Sequence, residues 1–200
     1  VIDCLHSTAT SHGRIFIVEV MGHKVGWLTL SAGIAGGADV ILLPEIPYDI
    51  NKVAKTLNSR IDNGKKFSIL AVAEGAISKE EAKLSKKEFK KKRAEENYPS
   101  IVYRIAEELQ DKIDNEIRVC VPGHFQRGGS PCAYDRVLCT RLGATAAKFV
   151  KEKTFGVMVG MVNGQCVPVP LEEVAGKLKS VPVDCGEIQA ARQIGISFGD

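Results

Sequence analysis

The chain of 200 residues has no long apolar segment, no closely paired cysteines and no strong excess of one charge. No stretch approaches the ~20 apolar residues that span a bilayer, and the first residues lack the basic-then-apolar pattern of a secretion signal. The six cysteines form no C-x-x-C pair and do not group with the four histidines as metal ligands do. We therefore expect reduced thiols, no protein-held metal, no membrane partner and a cytoplasmic location.

The net charge is mild as well. Lys and Arg number 27 against 24 Asp and Glu, so the formal charge is +3, and the pI is about 8.5. Nucleic-acid-binding domains usually carry a stronger basic patch, whereas this balance suits small anionic ligands. We expect no nucleic-acid partner. A hydrophobic content of 44% is that of an ordinary globular protein.

Short β-branched runs alternate with helical patterns in the first part of the chain. Continuous apolar runs separated by helices are typical of parallel strands covered on both faces, so the pattern predicts an α/β fold with right-handed crossovers. The predicted strands are Ile15 to Val20, Val40 to Leu43, Phe67 to Val72 and Ile117 to Val121. The predicted helices are Trp27 to Ala35, Ile50 to Asp62 with Asp49 as its N-cap, and Ile101 to Asn115.

The remaining segments predict further elements. A helix over Tyr134 to Lys151 is followed by a β-hairpin whose Asn163-Gly164 turn is a strong hairpin signal. The hairpin strands are Phe155 to Val162 and Gln165 to Val169, and a short helix is predicted over Leu171 to Leu178. Val1 to His6 resembles the last turns of an amphipathic helix, so we expect that part of the chain upstream is missing.

Lys79 to Asn97 stands apart in composition, because both signs of charge crowd this segment. A phosphate-binding arm is conceivable. However, glutamates such as Glu80, Glu81 and Glu88 interleave with the lysines, as they do on a solvated helix. We expect a surface helix inserted between a strand and the helix that follows it.

The glycine-rich loop from Gly123 to Gly129 is the first candidate site. It follows a strand and precedes a helix, and ligands of open α/β sheets bind at such strand ends. His124 can donate a hydrogen bond, and the guanidinium of Arg127 can bind a phosphate through two. Glycines let the backbone approach an anion closely. A tight glycine turn with an exposed arginine is the competing interpretation.

Two other strand ends carry candidates. Glu74 could bind sugar hydroxyls, act as a base or cap the next helix, and capping is the common fate of a lone Glu near a helix start. Met21 and Gly22 follow the first predicted strand, where Met is normally core and Gly a turn. Arg14 lies at the opposite end of that strand, about 20 Å away at 3.3 Å per residue. If Arg14 shares a ligand with Met21, it must do so across a subunit interface.

Three stretches together resemble the 6-phosphofructokinase family, in particular the subgroup with both ATP- and pyrophosphate-dependent members. They are His12 to Glu45, the A-V-A-E-G of residues 71 to 75, and Gly123 to Arg136, which contains G-H-F-Q-R-G-G-S-P. The resemblance covers nearly the whole chain outside the charged segment. It implies a three-layer α/β sandwich with a mostly parallel sheet. Residues 1–125 would form a sugar-phosphate lobe, 126–168 would return to the phosphoryl-donor lobe, and 169–200 would be a C-terminal crossover and tail.

The resemblance also implies roles for the candidate residues. In the family, the loop histidine and arginine hold fructose 6-phosphate, the Met-Gly pair lines the same site, and the carboxylate after A-V-A binds sugar hydroxyls. Two further arginines reach the 6-phosphate of a neighbouring subunit, which implies a homodimer or homotetramer with shared sites. The matching residues here are His124, Phe125, Gln126, Arg127, Met21, Gly22, His23 and Glu74, with Arg14 and Arg118 as the two arginines. Since His23 replaces a frequent arginine, the charge at its position would depend on pH.

The implied activity is the transfer of a phosphoryl group from ATP, with Mg²⁺, to the 1-hydroxyl of fructose 6-phosphate in glycolysis. The product would be fructose 1,6-bisphosphate. Pyrophosphate is the alternative donor, and a non-catalytic sugar-phosphate-binding module is the alternative from another class. The family's donor loops and its T-I-D-x-D segment, which supplies the base, do not occur in this sequence. This chain alone is therefore predicted to be inactive.

His6 and Asn63 bear on regulation. They stand where other bacterial members of the family have an arginine and a lysine of a nucleotide effector pocket. We therefore expect no nucleotide allostery of that type.

Overall fold

A computed structural model describes residues 1–200. The chain forms two compact units, Val1–Gln126 with Ser180–Asp200, and Arg127–Lys179. The first unit contains α1 (Ile2–His12), β1 (Ile15–Val20), α2 (Trp27–Ala35), β2 (Val40–Leu42), α3 (Ile50–Asp62), β3 (Ser68–Ala73), α4 (Lys86–Glu95), α5 (Ile101–Gln110) and β4 (Ile117–Cys120). The second contains α6 (Ala133–Lys151), β5 (Val157–Val162), β6 (Gln165–Pro170) and α7 (Leu171–Val174), and α8 (Gly186–Gln193) belongs to the first unit. The lobe roles assigned to 1–125, 126–168 and 169–200 stay predictions.

The sheet of the first unit has four parallel strands in the order β2-β3-β1-β4. All residues of β2 and β3 are buried, as the continuous apolar runs predict for strands covered on both faces. β1 lies in the middle, with Ile15 opposite Ser68 of β3 on one side and Ile117 of β4 on the other. Since all strands run the same way, β1, β3 and β4 end at the same edge of the sheet. We call this the carboxyl edge.

Helices cover both faces of this sheet. Ile15, Ile17 and Leu70 pack in one core cluster with residues of α3 and α5. Val18 and Ile69 pack in a second cluster with residues of α1, α2 and α8. The alternation of side chains along the strands therefore fills two cores, one on each face. The predicted α/β fold, a three-layer sandwich with a mostly parallel sheet, is confirmed.

Several predicted element boundaries need correction. The predicted N-cap is confirmed, since Asp49 accepts a hydrogen bond from the backbone N–H of Asn51 at 2.9 Å. α1 is longer than expected and runs to His12, where Gly13 at φ 63° ends it. The helix predicted to reach Asn115 ends at Gln110. α8 was missed, because its eight residues carry only two buried apolar side chains and hence little periodicity.

The second unit consists of α6, the β5–β6 hairpin and α7. The hairpin is antiparallel, and its turn residues Asn163 and Gly164 have φ of 48° and 75°, as an Asn-Gly type I′ turn requires. The short helix predicted to reach Leu178 ends at Val174. No residue of Arg127–Lys179 is buried.

The charged segment is only partly a solvated helix. α4 has no buried residue, as expected. Glu81, however, is only 2% exposed, so the prediction is wrong for this residue. Its carboxylate is held by ion pairs with Arg93 and Arg104, and these compensate for the loss of water. None of the helices has the length and apolar character needed to cross a membrane.

Candidate functional site

Candidate residues from three strand ends meet at the carboxyl edge of the sheet. Met21 to His23 follow β1, Glu74 follows β3, and the loop from Val121 to Gln126 follows β4. These three strands are neighbours in the order β3-β1-β4. The parallel register therefore brings together residues that lie about 50 positions apart in the sequence.

Glu74 fixes the loop after β1. One oxygen of its carboxylate, Oε1, accepts hydrogen bonds from the backbone N–H groups of Gly22 at 3.0 Å and His23 at 2.6 Å. The backbone N–H of Glu74 donates to the carbonyl of Val20 at 3.0 Å. No helix starts directly after Glu74, since the next helical turn begins at Glu81, so the helix-cap interpretation is wrong. The side chain is exposed, and its second oxygen is not used in these hydrogen bonds.

A glycine is required where the two loops touch. A Cβ atom added to Gly75 would lie 2.1 Å from the carbonyl oxygen of His23, far inside van der Waals contact. At Gly22 a Cβ atom would lie 2.6 Å from the carbonyl oxygen of Val25. The sequence A-V-A-E-G thus combines a carboxylate that binds the first loop with a glycine that lets it approach.

Gln126 links the glycine-rich loop to the same place. Its side-chain oxygen accepts a hydrogen bond from the backbone N–H of Met21 at 3.1 Å. Its amide nitrogen donates to the carbonyls of Gly123 at 3.3 Å and Glu19 at 3.4 Å. With its amide group used in this way, Gln126 orients Met21 and the start of the loop.

The other loop residues are accessible. His124 is exposed and Phe125 is 79% exposed, and both follow Gly123, whose φ of 54° favours glycine. Arg127 is the first residue of the second compact unit and is also exposed. These side chains are free for a ligand or a partner.

Glu19 is an acidic group at the carboxyl edge that the sequence reasoning missed. It is the penultimate residue of β1, and its Oε2 is buried with no hydrogen-bond partner. Burial raises the pKa of Glu19, and the negative charge of Glu74 adds to this rise. The signal in the sequence was a lone acidic residue in an apolar strand, which is often functional.

Arg14 and Arg118 lie away from the carboxyl edge. Arg14 precedes β1, and Arg118 is the second residue of β4, opposite Phe16. The two guanidinium groups bind the two oxygens of one carboxylate, that of Glu116. The hydrogen bond from Arg14, with the charge of Arg118, lowers the pKa of Glu116. The sequence reasoning missed Glu116, although it immediately precedes β4.

The structure has no group of three or more His, Cys, Asp or Glu side chains that could hold a metal ion.

His6 and Asn63 are both engaged with the backbone. His6 Nε2 lies 2.6 Å from the carbonyl oxygen of Gly36, and its ring packs edge-on against Phe67 with centroids 5.8 Å apart. Asn63 donates from its side chain to the carbonyl of Ser59 at 2.7 Å. Both side chains are therefore engaged in contacts within the chain.

Comparisons with known proteins identify similar chains. The family model described as phosphofructokinase matches residues 1–150. The chain is 51% identical to an ATP-dependent 6-phosphofructokinase of Spirochaeta thermophila, over 100% of this chain and 54% of that protein. It is 45% identical to an ATP-dependent 6-phosphofructokinase of Propionibacterium freudenreichii, over 100% of this chain and 58% of that protein. The chain therefore spans about half the length of the curated relatives that it matches.

Solved structures agree on the fold. Phosphofructokinase from Saccharomyces cerevisiae superposes with a TM-score of 0.69 at 32% identity, over 86% of this chain and 22% of that chain. A pyrophosphate-dependent phosphofructokinase from Marinobacter aquaeolei superposes with a TM-score of 0.74 over 98% of this chain and 52% of that chain. At 20% identity the latter similarity supports the fold alone.

Proposed function

The chain belongs to the phosphofructokinase family, and on this premise we propose that it binds fructose 6-phosphate and presents its 1-hydroxyl to a phosphoryl donor. The reaction is the glycolytic formation of fructose 1,6-bisphosphate, with the full-length protein as the enzyme. The observation that carries the proposal is the arrangement at the carboxyl edge, where Glu74 holds the Met21 to His23 loop beside the glycine-rich loop.

Each group at this edge suits a hexose phosphate. The free oxygen of Glu74 can accept hydrogen bonds from sugar hydroxyls, while the loop that it fixes lines the sugar. His124 carries a donor suited to phosphoryl and hydroxyl oxygens. Arg127, which follows Gln126 in the chain, carries a guanidinium that can bind a phosphate with two parallel bonds. Phe125 is accessible at the same loop, and Gln126 keeps Met21 in place.

The chemical contribution of this chain is positioning of the acceptor. Phosphoryl transfer depends on in-line alignment and on stabilisation of charge on the transferred group, with little covalent participation of the protein. A sugar held by Glu74, Met21 and the glycine-rich loop has its freedom of rotation restricted before the donor arrives. We assign no general base, no Mg²⁺ ligand and no donor-binding residue within residues 1–200.

ATP is proposed as the donor because the most similar relatives described above carry ATP-dependent names. Pyrophosphate is the second candidate. An assay of the full-length protein with each donor, at matched Mg²⁺ and fructose 6-phosphate, decides between them. Activity with neither donor, together with retained binding of fructose 6-phosphate, would favour a non-catalytic sugar-phosphate-binding module.

Arg14 and Arg118 are proposed to serve the site of a neighbouring subunit. Arg14 lies about 20 Å from the end of β1 at the usual rise per strand residue, too far to share a sugar phosphate with Met21. Arg118 is opposite Phe16, about 13 Å from the same end. The carboxylate of Glu116 already orients both guanidinium groups together. We propose a homodimer or homotetramer with such shared sites, and a cytoplasmic location for the glycolytic enzyme.

The direct test is calorimetric titration of fructose 6-phosphate into the full-length protein and its Glu74→Gln variant. A neutral amide keeps the size of the side chain but loses the charged acceptor. We expect the Kd to rise about tenfold or more, as for the loss of a charge-assisted hydrogen bond. An unchanged Kd in the variant would refute the assignment.

A further inference from the structure

Glu81, Arg93 and Arg104 form a buried ionic cluster that connects the charged segment to α5. The carboxylate of Glu81 is fully buried and receives three hydrogen bonds of 2.8 to 2.9 Å, two from Arg104 and one from the backbone N–H of Ser78. Arg93 Nε lies 2.7 Å from Glu81 Oε1. A buried carboxylate with this many donors holds its neighbours in one geometry.

Arg93 extends this cluster to the carboxyl edge of the sheet. Its Nη2 donates to the backbone carbonyl of Ala76 at 2.9 Å and to Glu81 Oε2 at 3.2 Å. The guanidinium also lies over the ring of Phe89, with its carbon 5.3 Å from the ring centroid. Its position is therefore set by the carboxylate, the carbonyl and the aromatic face together.

The turn that Arg93 holds is the one that carries Glu74. The backbone N–H of Ala76 donates to the carbonyl of Ala73 at 2.9 Å, which closes a turn around Glu74 and Gly75. Gly75 is in close contact with the carbonyl of His23, and Glu74 binds the N–H of the same residue. A displacement of this turn therefore moves the carboxylate and the loop after β1 together.

The charged segment also forms a wall beside this turn. A cleft of ≈ 560 Å³ is lined by His23, Lys24, Pro44, Glu74, Gly75 and Ile77, together with Phe89 and Arg93 of α4. Two residues of α4 thus share a cavity with Glu74. The segment that composition alone marked as a solvated insertion borders the candidate site.

We propose that Arg93 is a positioning residue for Glu74, through which the charged segment sets the affinity of the site for its sugar. This inference rests on the proposed function. Arg93 acts on the turn through the carbonyl of Ala76, and the buried Glu81 keeps Arg93 in the required orientation. It needs no contact with the substrate.

The test uses the full-length protein with Arg93 changed to Met or Lys. Arg93→Met removes the hydrogen bonds to the carbonyl and the carboxylate, and we expect the Kd of fructose 6-phosphate to rise about tenfold. Arg93→Lys should recover part of this loss, because one ammonium group replaces a fork that bonds two acceptors. The KM for ATP should stay within about twofold, because Arg93 is proposed to act on the sugar side of the site. A mere loss of folded protein would lower kcat and leave the KM unchanged. Lys90→Met, which removes an exposed charge from the same helix, should change neither value.

A double-mutant cycle with Glu74→Gln identifies the route of action. If Arg93 works through Glu74, Arg93→Met should raise the Kd less than about twofold in the Glu74→Gln background. Equal effects of Arg93→Met in both backgrounds would overturn the inference. A wild-type Kd for Arg93→Met together with a raised Kd for Glu74→Gln would also overturn the inference, but the proposed function would then stand. If Glu74→Gln itself binds normally, the proposed function fails and the inference fails with it. Should Arg93→Met not fold, Arg93→Lys enters the same cycle.

Discussion

Replacement of Glu81 by Gln tests the energetic role of the buried cluster. The native carboxylate is fully buried, and its two arginine partners have side-chain exposures of only 24% and 7%. Glutamine has nearly the same shape but carries no charge, and its NH₂ group would face the N–H donors of Arg93 or Arg104. The variant therefore leaves two largely buried cations without their common anion.

The pKa of Glu81 indicates how much stability the variant should lose. Burial would raise it, but hydrogen bonds from Arg104 and Ser78 and the charge of Arg93 lower it from 4.5 to about 2. A fall of that size on folding corresponds to roughly 3 kcal/mol of stability at neutral pH. Loss of one member of a buried ion pair typically costs about 3 to 5 kcal/mol, which agrees. For a protein of this size we expect Tm to fall by about 10 °C.

The contribution of Glu81 to stability should depend on pH in a defined direction. Because folding lowers the pKa of Glu81, its contribution is complete above pH 4.5 and is lost as the pH falls towards about 2. The difference in unfolding free energy between wild type and Glu81→Gln should therefore be constant at neutral pH and shrink through this acidic window. Urea unfolding followed by circular dichroism at several pH values measures it.

The matched control is Glu80→Gln, a neighbouring exposed residue, for which we expect a change within about 0.5 kcal/mol. A Tm for Glu81→Gln within about 1 °C of the wild-type Tm would refute the reasoning. A difference from wild type that does not change between neutral and strongly acidic pH would refute it as well.

Three further predictions concern the site. Gly75→Ala should lower the free energy of unfolding by about 1 to 3 kcal/mol, because its Cβ would lie 2.1 Å from the carbonyl oxygen of His23, and it should weaken binding of fructose 6-phosphate. Gly186→Ala, which has open space around it, should be neutral in the same unfolding and titration assays. Arg127→Ala should raise the Kd of fructose 6-phosphate about 30-fold or more, and an unchanged KM would contradict its proposed role. Arg14→Ala and Glu74→Ala should each reduce the activity of the full-length protein. Co-refolded mixtures of the two variants should regain some activity, measured as specific activity against the subunit ratio. No recovery in a confirmed mixed oligomer would argue against shared sites.

Strands, a helix start and a hairpin turn could be predicted from the sequence because each depends mainly on residues that are close together in the chain. The apolar runs of β1 and β3 predicted buried parallel strands because covered strands need side chains that are apolar on both faces. Asp49 predicted a helix start because a carboxylate satisfies free N–H groups there. The Asn163-Gly164 turn was equally local, since both residues tolerate positive φ.

The partners of the charged side chains were decided by the tertiary structure. On pattern alone Glu74 could be a cap, a base or a sugar ligand, and only the strand order β3-β1-β4 brings its carboxylate to the N–H groups of Gly22 and His23. Glu81 looked like one more exposed glutamate, yet its burial depends on two arginines that are 12 and 23 residues away. Hydrogen bonding and desolvation depend on what surrounds a group in space. The sequence therefore determined which segments form strands and helices, and the packing of those segments determined which charges meet.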